Sequence, residues 1–166
     1  MIKTVEYVDG YVRMIDQTRL PLEKVFVDCK TIDDVANAIK TMVVRGAPAI
    51  GVSAAMGVSL GAESIQTESF NVFYAELEKK CLALAKSRPT AVNLAWGIER
   101  MKRVARESKN LSIPKLKQRL KKEALDICEE DIAANKSIGD FGQILINDGN
   151  TILTHCNAGA LATAGF

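Results

Sequence analysis

Three short stretches hold the residue types that chemistry needs. Val43-Val44-Arg45-Gly46-Ala47-Pro48-Ala49-Ile50-Gly51 sets one arginine among small residues, between two apolar runs. Gly46 lets the backbone turn and lets a ligand come close. Pro48 suits the first turn of a helix, where its missing N–H costs nothing. The N–H groups of that turn, beside Arg45, would make an anion site from a helix N-terminus and a guanidinium. The same residues also read as a plain helix corner with a solvated arginine. Ser87-Arg88-Pro89-Thr90-Ala91-Val92-Asn93-Leu94 repeats the arrangement, because Pro89 pushes Arg88 out of helical geometry just before a helix. Two arginines on loops that each lead into a helix favour a phosphate-type site over either one alone.

The third stretch ends in a thiol. Thr151-Ile152-Leu153-Thr154-His155-Cys156 reads as a buried strand, and Asn157 to Thr163 as a helix of small residues. Cys156 would then sit at the C-terminal edge of a strand, where open α/β sheets bind ligands, and a helix N-terminus would favour its thiolate. His155 is adjacent, but neighbours on a strand point to opposite faces, which argues against a Cys–His dyad. Thr154 shares the face of Cys156. The competing reading makes Cys156 a small buried hydrophobe.

The elements that must position these residues are legible in the spacing. Residues 4–8 and 11–15 alternate around Asp9-Gly10, a strong two-residue turn, and predict a β-hairpin. Residues 25–29 make a third strand after the break at Pro21. Thr31-Ile32-Asp33-Asp34 opens a helix with a capping-box pattern, whose apolar positions recur down to Arg45. A helix from Pro48 to about Ala62 is small-sided nearly all round, and its three glycines cost roughly 1 kcal/mol each against alanine. That composition makes sense for a buried helix with other backbones packed close. Phe70, Phe73, Tyr74, Leu77, Cys81 and Leu84 form a core stripe on a helix from about 69 to 86. Further helices are expected from Pro89 or Thr90 to about Glu107, from 113 to 136, and from Ile138 to Ile146, with a turn at 147–150.

Composition bounds the class. The chain has 166 residues, 48% hydrophobic and 25% charged, as in an ordinary globular domain. A net charge of +2 gives no steering toward nucleic acid or an anionic membrane, and the Lys/Arg run at 115–122 reads as a solvated helix face. No apolar run reaches spanning length and the N-terminus has no signal core. The four cysteines stand singly with one histidine, which argues against zinc and against a disulfide framework and fits reduced thiols in a cytoplasmic protein. No cofactor or metal motif is present.

Taken together, the segments Met42 to Gly51, Ser87 to Trp96 and Leu153 to Gly159 resemble the methylthioribose-1-phosphate isomerase family, which also holds the α, β and δ subunits of the initiation factor eIF2B. The continuation Asn93-Leu94-Ala95-Trp96 looks more like the methylthioribose enzyme than like ribose-1,5-bisphosphate isomerase. The resemblance implies an α/β fold, with a three-stranded sheet over 1–30 and helices over 31–136. Residues 137–166 would then open a Rossmann-like domain whose further strands are not in this chain. It implies that Arg45, Gly46, Ala47 and Arg88 bind a sugar phosphate, that Cys156 acts at the reacting carbons, and that an aspartate beyond residue 166 is the acid. It implies a homodimer, and a non-catalytic eIF2B-like subunit is the alternative. The 166-residue chain alone is expected to be inactive, with exposed apolar surface around 151–163.

Overall fold

The computed structural model describes residues 3–166. Strands β1 (Val5–Val8) and β2 (Tyr11–Ile15) form the expected hairpin, with Gly10 in the turn at φ 84°. Strand β3 (Phe26–Cys29) adds antiparallel to β2, giving the order β1-β2-β3. Pairing sets Val5 opposite Met14 and Val12 opposite Cys29. All four side chains are buried on the inner face.

Helix α1 (Ile32–Lys40) starts at a capping box: the Asp34 N–H donates to Thr31 Oγ1, and the Thr31 N–H to Asp34 Oδ2. It stops short of the expected Arg45. Met42 takes a left-handed conformation at φ 64°, and the Val43 N–H turns back to Ala38 O at 2.9 Å. The apolar pattern runs on past the helix because loop residue Val44 also enters the core.

Helix α2 (Ala47–Glu63) is the centre of the molecule. Every residue from Ala49 to Ala62 is buried, as an all-apolar helix requires. Helices α3 (Phe70–Ala85), α4 (Val92–Glu107) and α5 (Ile113–Gly142) surround it with α1. Their approach is close at the glycines. A Cβ on Gly97 of α4 would lie 2.6 Å from Gly51 O, and one on Gly57 would lie 2.9 Å from a Val35 methyl. The α3 stripe is core as expected, with Phe73, Leu77, Cys81 and Leu84 buried. Helices α4 and α5 are tied by buried Glu123, which accepts from Arg100 Nε at 2.6 Å and pairs with Arg119 at 2.7 Å. Burial opposes its charge, but the two arginines outweigh that and hold its carboxyl below the usual range. In the basic run, Lys122 pairs with Asp126 on the same helix and Lys117 donates to Glu63 O.

Four further expectations need correction. Helix α4 begins at Val92, because the Ala91 N–H closes a turn on Arg88 O first. The separate helix expected over 138–146 is the far end of α5, which meets no proline and runs to Gly142 before one 3-10 turn, Gln143–Leu145. Residues 151–156 form no strand, and 157–163 form turns rather than a helix. A strand needs a ladder partner, and none of the described strands lies beside this one. Cys156 at φ 63° and Gly159 at φ 87° break the run that a helix would need. The turn at 147–150 is present, closed by the Asn150 N–H on Asn147 O.

Replacing Gly97 by alanine should therefore cost about 1–3 kcal/mol, because the new methyl meets backbone rather than a yielding side chain. Urea unfolding checks this; an unchanged midpoint would show that α2 and α4 have room to separate.

Candidate functional site

Helices α2 and α4 begin side by side. A Cβ on Gly51 would lie 3.1 Å from Asn93 O, and Pro48, Val52, Asn93 and Trp96 line one cavity of about 410 Å³ with Asp131 of α5. The loops that precede the two helices, one carrying Arg45 and the other Arg88, therefore open at the same end of the bundle. Arg45 is exposed and Arg88 half-buried.

Charge pairing sets these two residues apart. The chain has eight arginines. Arg13, Arg19, Arg100, Arg103 and Arg119 have carboxylate partners, and Arg106 donates to the Tyr74 hydroxyl. Among the described residues, Arg45 and Arg88 alone have no such partner. Two unpaired guanidinium groups at the starts of neighbouring helices can grip a dianion.

The α2 N-terminus is only partly open to a ligand. Its Ala49 N–H donates to Ala162 O at 3.1 Å, so a backbone carbonyl occupies one of the four positions that a first turn leaves free. Pro48 has no N–H to offer. The N–H groups of Gly46 and Ala47 have no backbone acceptor among the described residues, and they flank Arg45. Gly46 holds φ 89°, and a Cβ on it would fall 2.4 Å from Ala162 Cα. Only glycine both takes that conformation and lets the returning segment seat.

Arg45 lines a cavity of about 390 Å³ with Gln17, Pro21, Asn157, Ala158 and Leu161. The structure thus brings the first and third stretches of the sequence together. Cys156 directly precedes Asn157 and is exposed. It lies neither at the expected strand end nor at a helix N-terminus, and it is not a small buried hydrophobe. His155 and Thr154 are exposed as well, and Thr154 Oγ1 bonds the Cys156 carbonyl at 3.4 Å rather than the sulfur. Arg88 does not line the Arg45 cavity. Gln17 was not foreseen: its side chain donates to Leu161 O at 2.7 Å across 144 residues, and no local pattern announces such a contact.

Residues 43–164 match the model of the initiation factor 2 subunit family. The chain belongs to that family. Within it, the chain is 54% identical to methylthioribose-1-phosphate isomerase of Citrifermentans bemidjiense, over 99% of this chain and 47% of that protein. It is 52% identical to the protein of the same name in Syntrophotalea carbinolica, over 99% of this chain and 48% of that one. The chain spans about half the length of the curated relatives it matches. The solved structure of 5-methylthioribose 1-phosphate isomerase from Pyrococcus horikoshii superposes with a TM-score of 0.92 at 41% identity, covering 99% of this chain and 46% of that one. Subunit delta of translation initiation factor eIF-2B from A. fulgidus superposes with a TM-score of 0.87 at 37% identity, again over 99% of this chain and 48% of that one. The fold of this family member is thus shared by proteins carrying an isomerase name and proteins carrying a translation-factor name.

The thiols of this family member are expected to separate sharply in reactivity. Burial pushes Cys29 and Cys128 up to about 11 and Cys81 up to about 12, whereas Cys156 is open to solvent. Iodoacetamide at pH 8, read by peptide mass spectrometry, should alkylate Cys156 at least about 10-fold faster than the others. Equal rates at all four would mean that the 151–158 loop does not present the sulfur.

Proposed function

We propose that this chain supplies the phosphate-gripping part of a sugar-phosphate isomerase site, in a protein that converts 5-methylthioribose 1-phosphate to 5-methylthioribulose 1-phosphate. The observation that carries the reading is the pair of arginines left without partners where α2 and α4 start together. The names of the relatives supply the sugar.

In this reading Arg45 and Arg88 hold the phosphate, and the Gly46 and Ala47 N–H groups add backbone donors. Phosphate on the anomeric oxygen keeps the ring from opening as a free aldose would. An acid must protonate the ring oxygen while hydrogen moves between C1 and C2, and a base or stabiliser must stand at those carbons. Cys156 takes the second role. An aspartate from the remaining half of the family's length takes the first. Fixing the phosphate orients C1 and C2 against both groups. No cofactor is needed for this chemistry.

The same proposal places residues 137–166 at the junction with that remaining half. Phe141, Ile144, Leu145 and Leu153 are each at least 75% exposed, an apolar surface of the kind that a further α/β unit would cover. We also assign the protein to the cytoplasm and to a homodimer, and expect the 166-residue chain to have no isomerase activity by itself. Catalysis by a ribose-1,5-bisphosphate isomerase-like enzyme is a close variant of this reading.

The likeness to the eIF-2B delta structure favours one alternative, a regulatory subunit that binds a sugar phosphate or nucleotide without turnover. Turnover of 5-methylthioribose 1-phosphate by this chain joined to the remaining half decides between them. Arg45→Ala and Arg88→Ala should each weaken sugar-phosphate binding by about 1.5–3 kcal/mol, roughly 10- to 150-fold, as for hydrogen bonds to charged groups. Calorimetric titration measures this, and unchanged affinity in both variants removes the two-arginine grip. Cys156→Ala should abolish turnover with little change in affinity; full activity in that variant removes the thiol from the chemistry.

A further inference from the structure

The segment that follows Cys156 has no regular structure of its own, yet residues 160–164 are fixed at five points. Its Ala162 carbonyl caps Ala49 of α2. The Ala162 backbone packs where Gly46 leaves no Cβ. Side chains from three separate elements hold the rest. Thr4 Oγ1, just before β1, donates to Ala160 O. Gln17, just after β2, donates to Leu161 O at 2.7 Å. Asp131 on α5 accepts from the Ala164 N–H at 2.7 Å. Gln17 has a second attachment: its own N–H donates to Val43 O at 3.0 Å, two residues before Arg45. One glutamine therefore joins the Arg45 loop to the segment that follows Cys156, and it lines the cavity between them.

We propose that Gln17 and Asp131 are positioning residues of the sugar-phosphate site. They clamp residues 160–164 onto the start of α2, so that Arg45 and the Cys156–Ala158 loop face one cavity. Without the clamp the segment keeps only the Thr4 bond, the Ala162 cap and the Ala162 packing on Gly46, and these give way. The loop bearing the thiol then moves away from the arginine, and the freed Ala49 N–H returns to solvent. The proposal rests on the phosphate-site reading given above, and the test separates the two.

Two measurements on the 166-residue chain suffice, each by NMR with residue resolution. The first is amide hydrogen exchange. Gln17→Leu and Asp131→Leu should speed exchange at Ala49 and Ala164 at least about 10-fold while the α3 amides keep their protection. Asp131→Asn keeps an acceptor oxygen in the same place and should restore protection to within about 2- to 3-fold of the parent. The second is titration with ribose 5-phosphate, followed at the Gly46 and Ala47 amides. Both leucine variants should weaken binding at least about 5-fold, and Asp131→Asn should recover it. Unchanged exchange in the leucine variants overturns the clamp whatever the ligand does. Faster exchange with undiminished ribose 5-phosphate binding overturns the positioning role. If Asp131→Asn fails like Asp131→Leu, it is the carboxylate charge and not the hydrogen bond that acts, and the proposal is wrong. A parent chain with no response to ribose 5-phosphate at up to tens of millimolar sinks the site reading, and the positioning role with it, even where exchange confirms the contacts.

Discussion

A helix with no polar side is the constraint from which the rest of this structure follows. From Ala49 to Ala62, α2 offers no residue to water. Such a helix is stable only when neighbours wrap it fully, and here most of the wrapping is helix against helix. The small residues permit it. Gly97 lets α4 reach the backbone of Gly51, and Gly57 leaves room for Val35 of α1. Glycine in a helix interior is costly in isolation. The close approach it allows recovers that loss through dispersion contacts between tightly packed atoms.

Packing of that kind determines where function can reside. The sides of α2 are sealed, so only its two ends can address a ligand, and the first turn is the one that carries an arginine beside it. The partner that comes closest, α4, starts beside it, and both helices are entered from loops carrying arginines. The other arginines have been matched, among them Arg13 with Asp28, Arg19 with Glu23, and Arg100 with Glu123 and Glu130. Among the described residues, Arg45 and Arg88 are the two arginines with neither an ion pair nor a hydroxyl partner. Under the proposed reading, these guanidiniums and the backbone N–H groups of Gly46 and Ala47 would supply the positive charge and the donors that a phosphate group needs.

Much of this could be read from residue spacing, and the reason differs by element. The hairpin, the capping box at Thr31 and the small-residue helix are set by neighbours within a few positions, so local sequence specifies them. Two of the misreadings depend on what lies elsewhere. The apolar run 151–156 has the composition of a strand, but a strand is made by its partners and not by its own residues. The α1 pattern overran its helix because Val44 reaches the same core from a loop. The similar settings of Arg45 and Arg88 are visible in the sequence; what singles them out among the arginines, the lack of an ion-pair or hydroxyl partner among the described residues, is a property of the folded surface. Gln17 lies furthest from sequence reasoning. Nothing around it distinguishes it from an ordinary solvated glutamine at a strand end.

Residues 160–164 show how a site can be precise without regular structure. A loop ordinarily carries its backbone groups to solvent, but here carbonyls of Ala160, Leu161 and Ala162 and the amide of Ala164 each find a protein partner. The partners come from the sheet, from α2 and from α5. The position of the segment therefore depends on the whole assembled bundle rather than on one element. The sealed core around α2 holds those elements in fixed relation, and the segment inherits their rigidity. The small side chains of the run Ala158 to Thr163, which suggested a helix, serve a different end: they let a backbone lie flat against the Gly46 turn. Composition that in one context allows two helices to touch allows in another a loop to cap a helix, and the partner that is present decides between them.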